Sequence, residues 1–198
     1  MERFPAEKAD ELEQPRRYAE IEPASLLAWA GLRTGAAVLD LGCGTGFFAR
    51  AAAQYLGGRG IVIGADVSRP MLQKAREASR GNGVWLVQIG EGSLPIATHS
   101  IDLAILGFVL HEVEEVGPFL REVRRVLREE GKLLVAEWVK REEERGPRLA
   151  HRLSEMEVRR LLAGHGFAIT STRTLGESYY ALLAAKVTVR CCGGSRLS

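Results

Sequence analysis

The stretch Asp40-Leu41-Gly42-Cys43-Gly44-Thr45-Gly46 joins a carboxylate to three glycines at alternate positions. Glycines at that spacing let a backbone turn tightly and approach a ligand with no Cβ in the way. A helix start beyond them offers free N–H groups. A dinucleotide site wants Gly-x-Gly-x-x-Gly, and the third glycine would fall at position 47, which is Phe47. The Gly-Lys-Ser/Thr of a phosphate-cradling loop is missing, and Phe47 and Phe48 offer no charge to a pyrophosphate. These residues point to an adenosine compound without phosphates.

Two further carboxylates follow at matching places. Asp66 ends a second apolar run and can accept hydrogen bonds from both hydroxyls of a ribose. Glu91 follows a third run, where it or its neighbouring backbone can meet the base. On the other side of the chain, His111 is the candidate general base; packing at a strand end is its competing role. Glu137, Trp138 and Tyr18 are candidates for touching a substrate, with Trp138 otherwise core. His151 falls in a charged loop and is expected to be exposed.

The elements that position these groups alternate. Strands are expected at 36–41, 61–65, 84–89, 101–106 and 132–138, with helices at 23–32, 47–56, from Ser68 to about 80, and 119–128. Ser154-Glu155-Met156-Glu157 is a capping box that opens another helix, stopping at Gly164 or Gly166. Two last strands, 167–174 and 179–187, turn at Gly176. Alternating units of this kind give a parallel sheet covered on both faces. The expected fold is α/β: a three-layer, Rossmann-like, seven-stranded sheet, mostly parallel with an antiparallel final strand. Residues 1–22 are expected to form an N-terminal arm, 23–188 the binding domain and 189–198 a flexible tail. The charged stretch 140–153 is the longest connection without clear periodicity.

Composition limits the partners. The 198 residues carry a net charge of +2, so overall charge gives no reason to expect a nucleic acid or an anionic membrane. No apolar run is long enough for a membrane span. The three cysteines show no zinc-site spacing, so no metal is expected, and a reducing, cytoplasmic compartment is. Cys191 and Cys192 lie in the tail and suggest no metalloid site.

Five stretches in order carry a resemblance. Val38–Gly46, Ile63–Ser68, Gly90–Pro95 with Ser100–Leu106, Phe108–Glu112 and Leu127–Leu134 resemble the successive motifs of class I S-adenosylmethionine-dependent methyltransferases. The resemblance covers about residues 30–185. It is nearest to the small-molecule branch, methyltransferase type 11, with its ubiquinone/menaquinone-type enzymes. It implies S-adenosyl-L-methionine as cofactor and S-adenosyl-L-homocysteine as product. It implies that Asp40 holds the methionine amino group and that Gly42, Cys43, Gly44 and Gly46 carry the methionine part. Asp66 would take the ribose. Val67, Met71, Glu91, Gly92 and Ser93 would surround the adenine, and Leu106 and Gly107 would line the methionine end.

The implied reaction is in-line displacement of a methyl group onto a small-molecule acceptor, which requires alignment more than any fixed catalytic group. Methylation of a protein or nucleic acid is the alternative, against which stands Leu106-Gly107-Phe108-Val109 in the place of an Asn/Asp-Pro-Pro-Tyr motif. A non-catalytic S-adenosylmethionine-binding module is another. A monomer and a homodimer are both compatible with the sequence.

Overall fold

Five consecutive residues, Ala37–Leu41, are all buried, and that is what a strand flanked by other strands and covered on both faces requires. The computed structural model describes residues 4–90 and 93–187. Glu91, Gly92 and the Cys191-Cys192 tail lie outside the described residues.

The chain opens with a 3₁₀ segment, Ala6–Glu13, followed by α1 (Pro15–Ile21) and α2 (Pro23–Trp29). Then come β1 (Ala37–Leu41), α3 (Phe47–Leu56), β2 (Ile61–Asp66), α4 (Arg69–Ala78), β3 (Val84–Gln88) and β4 (Ile101–Gly107). The second half holds α5 (Val116–Val126), β5 (Leu127–Trp138), α6 (Glu155–Gly164), β6 (Phe167–Leu175) and β7 (Tyr179–Lys186). Among the described residues these strands form one seven-stranded sheet in the order β3-β2-β1-β4-β5-β7-β6. Pairing is parallel throughout except that β7 runs antiparallel to both β5 and β6.

Alternate strand residues enter opposite cores. Val38, Leu103, Ile105 and Leu134 pack with residues of α2 and α3 on one face. Leu39, Ala104, Leu106 and Val135 pack with residues of α5 and α6 on the other. Two caps read from the sequence are present. Ser68 accepts from the Met71 N–H with Pro70 in the first turn, and Ser154 and Glu157 close a reciprocal capping box.

Three expectations need correction. The helix expected at 119–128 is Val116–Val126, because Pro118 suits a first turn, where its missing N–H costs nothing. Leu127 therefore opens β5, pairing with Ile101 across a register shift, although it continues the apolar period of the helix before it. Residues 140–153, the longest connection without clear periodicity, are tied down by one side chain. Arg152 is 1% exposed and donates to the carbonyls of Val139, Arg145 and Pro147 and to Glu143. His151, expected to be exposed, is half-buried in the turn that Arg152 anchors.

Candidate active site

The register places the site before any side chain does. Leu41 pairs with Ala65 on one side and Leu106 on the other, and Gly107 pairs with Ala136. Gly42, Asp66, Phe108 and Glu137 each come next along their strands, so all four emerge on the carboxyl edge of the sheet. The strand order reverses between β1 and β4, where open α/β sheets leave a crevice for ligands.

Gly42, Gly44 and Gly46 have φ of +66°, +53° and +85°, the left-handed region that disfavours side chains. A Cβ on Gly42 would lie 2.4 Å from Cγ2 of Val109, so the turn after β4 packs directly on the loop. Cys43 turns its buried thiol toward Gly64, away from the edge; burial pushes its pKa up. The cysteine thus offers backbone, not sulfur. Gly107 is backed by Phe48, whose ring lies where its Cβ would be. Leu106 points into the sheet's second core.

Asp40 is 1% exposed, and its Oδ2 accepts the Ala49 N–H at 2.9 Å. It therefore caps α3, which has no side-chain cap of its own. Its Oδ1 has no hydrogen-bond partner among the described residues. Burial, helped by the charge of Asp66, raises its pKa to about 7 against the pull of the Ala49 N–H and Arg17. Asp66 accepts from the N–H groups of Gly44 and Ser68, both at 2.8 Å, and so pins the glycine loop to the end of β2. Met71 is buried, Val67 half-buried and Ser93 exposed.

The N-terminal arm lies over this loop. Leu12 approaches the open face of Gly44. Glu13 accepts from Thr45 Oγ1 at 2.5 Å, Arg50 at 2.6 Å and Tyr18 at 2.8 Å. The Tyr18 ring sits 4.4 Å from that of Phe47. Arg17 packs its guanidinium 4.6 Å from the Phe47 ring centroid and 4.8 Å from that of Phe108. Burial lowers its pKa. Glu13 and Arg17 escape a sequence reading because they lie in a charged segment without periodicity; Tyr18 beside them is the one residue there that stands out.

On the β4–β5 side, Phe108 has φ +64°, uncommon for a bulky residue, and folds the chain back into a short turn, Leu110–Glu112. Its ring continues a row of aromatic side chains through Trp138 and Tyr179. In the turn His111 is 8% exposed and Glu137 not at all. Their side chains meet, with His111 Nδ1 2.8 Å from Oε2 of Glu137. The Phe4 N–H donates to Glu112 at 3.2 Å, so the arm reaches this side too. Tyr18, His111, Glu137 and Trp138 thus all gather at the carboxyl edge, although Glu137 meets the imidazole and Trp138's backbone rather than open space.

Comparison with known proteins agrees with this geometry. Residues 39–135 match the family described as "Methyltransferase domain". The ubiquinone/menaquinone biosynthesis C-methyltransferase UbiE of Hahella chejuensis is 36% identical over 115 residues, covering 56% of this chain and 46% of that protein. The arsenite methyltransferase of Halobacterium salinarum is 37% identical over 115 residues, 57% of this chain and 29% of that one. The chain thus spans under half the length of the curated relatives it matches. The crystal structure of a SAM dependent methyltransferase from Aquifex aeolicus superposes with a TM-score of 0.89 at 28% identity, over 93% of this chain and all of that one. Fold and sequence place the chain among the class I S-adenosylmethionine-dependent methyltransferases. Within that class its likeness is to the ubiquinone/menaquinone type. The family and fold imply S-adenosylmethionine as cofactor. Among the described residues no helix is long and apolar enough to cross a membrane.

Proposed function

We propose that the protein binds S-adenosylmethionine across the ends of β1, β2 and β4 and transfers its methyl group to a small-molecule acceptor lying toward β5. The observation that carries this reading is the pair of buried carboxylates, Asp40 and Asp66, flanking a loop whose three glycines hold left-handed φ and carry no Cβ. Two such carboxylates repel a phosphate-bearing ligand and favour a cationic one. The open Oδ1 of Asp40 suits an ammonium group. An ionised carboxylate has about four acceptor sites. Asp66 uses two of them on backbone N–H groups, which leaves room for ribose hydroxyls.

In this reading Gly42, Gly44 and Gly46 pass beneath the methionine portion, and Val67 and Met71 wall the base. Arg17, close enough to Asp40 to influence it, faces the carboxylate of the same amino-acid group. When bound, the sulfonium supplies an electrophilic methyl; the chain's task is to align the acceptor and exclude water. Residues 4–22 of the arm serve the second task by lying over the loop. The likeness to C-methyltransferases of ubiquinone and menaquinone biosynthesis supports a small organic acceptor.

Isothermal calorimetry tests the donor half. S-adenosylmethionine and S-adenosylhomocysteine are expected to bind, and ATP and NADH are not. Asp66→Asn is expected to weaken S-adenosylmethionine by about 1.5–3 kcal/mol, through loss of charge-assisted hydrogen bonds. Unchanged affinity in that variant would remove Asp66 from the ribose. Release of S-adenosylhomocysteine with a small-molecule panel tests the transfer half.

A further inference from the structure

We propose that His111 and Glu137 act as a unit, with Glu137 positioning the imidazole so that His111 Nε2 takes a proton from the acceptor. The acceptor would then belong to the class of molecules that lose a proton from the atom gaining the methyl group. The inference rests on the methyl-transfer reading above.

Glu137 is fully buried and held from two sides. Its Oε1 accepts the His111 N–H at 3.2 Å, and its Oε2 accepts the Trp138 N–H at 3.3 Å. With both oxygens oriented by backbone, the carboxylate presents a fixed edge to His111 Nδ1, 3.1 and 2.8 Å away. A carboxylate can only accept, so Nδ1 must carry the hydrogen. Neutral His111 is therefore confined to the tautomer whose Nε2 has a free lone pair. Nε2 makes no hydrogen bond to any described residue; the nearest acidic oxygen, Glu112 Oε1, is 3.9 Å away.

The pair also stands in the right place. Val109, two residues before His111, touches the glycine loop at Gly42, and Glu137 is the next-to-last residue of β5, the strand beside β4. The aromatic row of Phe108, Trp138 and Tyr179 runs past the same corner. A buried carboxylate set only to join two strand ends could use the two backbone N–H groups alone. Here it is spent on one nitrogen of a ring whose other nitrogen makes no hydrogen bond to a described residue and has the Glu112 carboxylate 3.9 Å away.

The charge balance suits a base. Burial pushes the imidazole's pKa down, but Glu137 first and Glu112 second raise it, with Arg152 opposing, and the net direction is upward from 6.5. Tyr180, whose own pKa is pushed up, also faces Glu137. In the step, the acceptor atom loses its proton to Nε2 and forms the new bond to the methyl carbon. The pair from the broken S–C bond stays on sulfur. The imidazolium that forms is neutralised by Glu137.

Two measurements on the full chain test this. Imidazole nitrogen NMR of the cofactor-free protein should show His111 protonated on Nδ1 when neutral and titrating above 6.5. Glu137→Gln should lower that midpoint by about one pH unit or more. With S-adenosylmethionine, a panel of a phenol, a 1,3-diketone and a primary amine should include turned-over acceptors, whereas trimethylamine and dimethyl sulfide should be inert. His111→Gln should lower kcat about 100-fold or more with KM little changed. In Glu137→Gln the limb of the pH–kcat profile should move toward acid together with the NMR midpoint. Should His111→Gln fail to fold, that shared shift decides. An unshifted His111 midpoint in Glu137→Gln, full kcat in His111→Gln, or turnover confined to acceptors without a removable proton would overturn the proposal. Intact calorimetric binding of S-adenosylmethionine alongside any of these results would locate the failure in the pair; lost binding would locate it in the cofactor reading.

Discussion

The two halves of the carboxyl edge are built differently. On the β1–β2 side, the chemistry sits in short consecutive stretches: Asp40 through Gly46, then Asp66 through Ser68. On the β4–β5 side nothing is consecutive. Phe4 meets Glu112, Arg17 packs between Phe47 and Phe108, and His111 meets Glu137. The first half relies on backbone geometry, and its tolerances are steric. The second relies on side chains brought together by the sheet and the arm, and its tolerances are electrostatic. A donor shared by a whole family suits the first kind of construction. An acceptor particular to one enzyme suits the second.

The sharpest way to break the steric half is Gly44→Val. At φ +53° a β-branched residue is strained, and its side chain would stand on the face now touched by Leu12. Cofactor affinity is expected to fall about 100-fold or more while the melting temperature changes far less, as calorimetry and thermal unfolding would show. Near-normal binding by this variant would put the donor elsewhere.

Asp40 sharpens the contrast, because it is an electrostatic element within the steric half. Its folded pKa, raised to about 7, means that its contribution to stability is fully present below the unfolded value and is lost as pH climbs toward 7. A cationic ligand on Oδ1 draws the proton off. Affinity for S-adenosylmethionine should therefore rise by up to about tenfold per pH unit below pH 7 and level off above it. Calorimetry in buffers of different ionisation enthalpy should detect the released proton near pH 6, and Asp40→Asn should abolish both effects. A pH-independent affinity would remove the ammonium from Asp40.

The smallest effect is expected where the arm is fastened to the glycine-loop half. Glu13→Ala removes the carboxylate that ties Thr45 to the arm and braces Arg50 and Tyr18, leaving Arg50 its bond to the Tyr18 hydroxyl, and these contacts are partly exposed and individually modest. Cofactor dissociation, followed by stopped-flow fluorescence, should quicken about two- to tenfold. An unchanged rate would mean that the arm rests on the loop without restraining the ligand.

Much of the frame was legible in the chain. Near-continuous apolar runs such as Ala37–Leu41 and Leu103–Leu106 can only be strands covered on both sides, and the segments between them have helical period and caps. The glycine spacing and Asp66 belong to the same category, because a turn's conformational need is written in the residues that make it. What went astray was decided by competition between elements. Leu127 satisfies a helix's period, yet pairing with Ile101 claims it for β5.

The sequence by itself thus determined the order of elements, the donor loop and its two carboxylates, since these depend on neighbours within a few positions. Only the tertiary structure decided that Asp40 caps α3, that Arg17 lies between two aromatic rings, and that Glu137 faces His111 rather than open space. The physical reason is that a side chain's charge, tautomer and exposure are set by whatever the fold places against it. Parallel pairing brings together groups that are far apart along the chain, and no local pattern records which of them will meet.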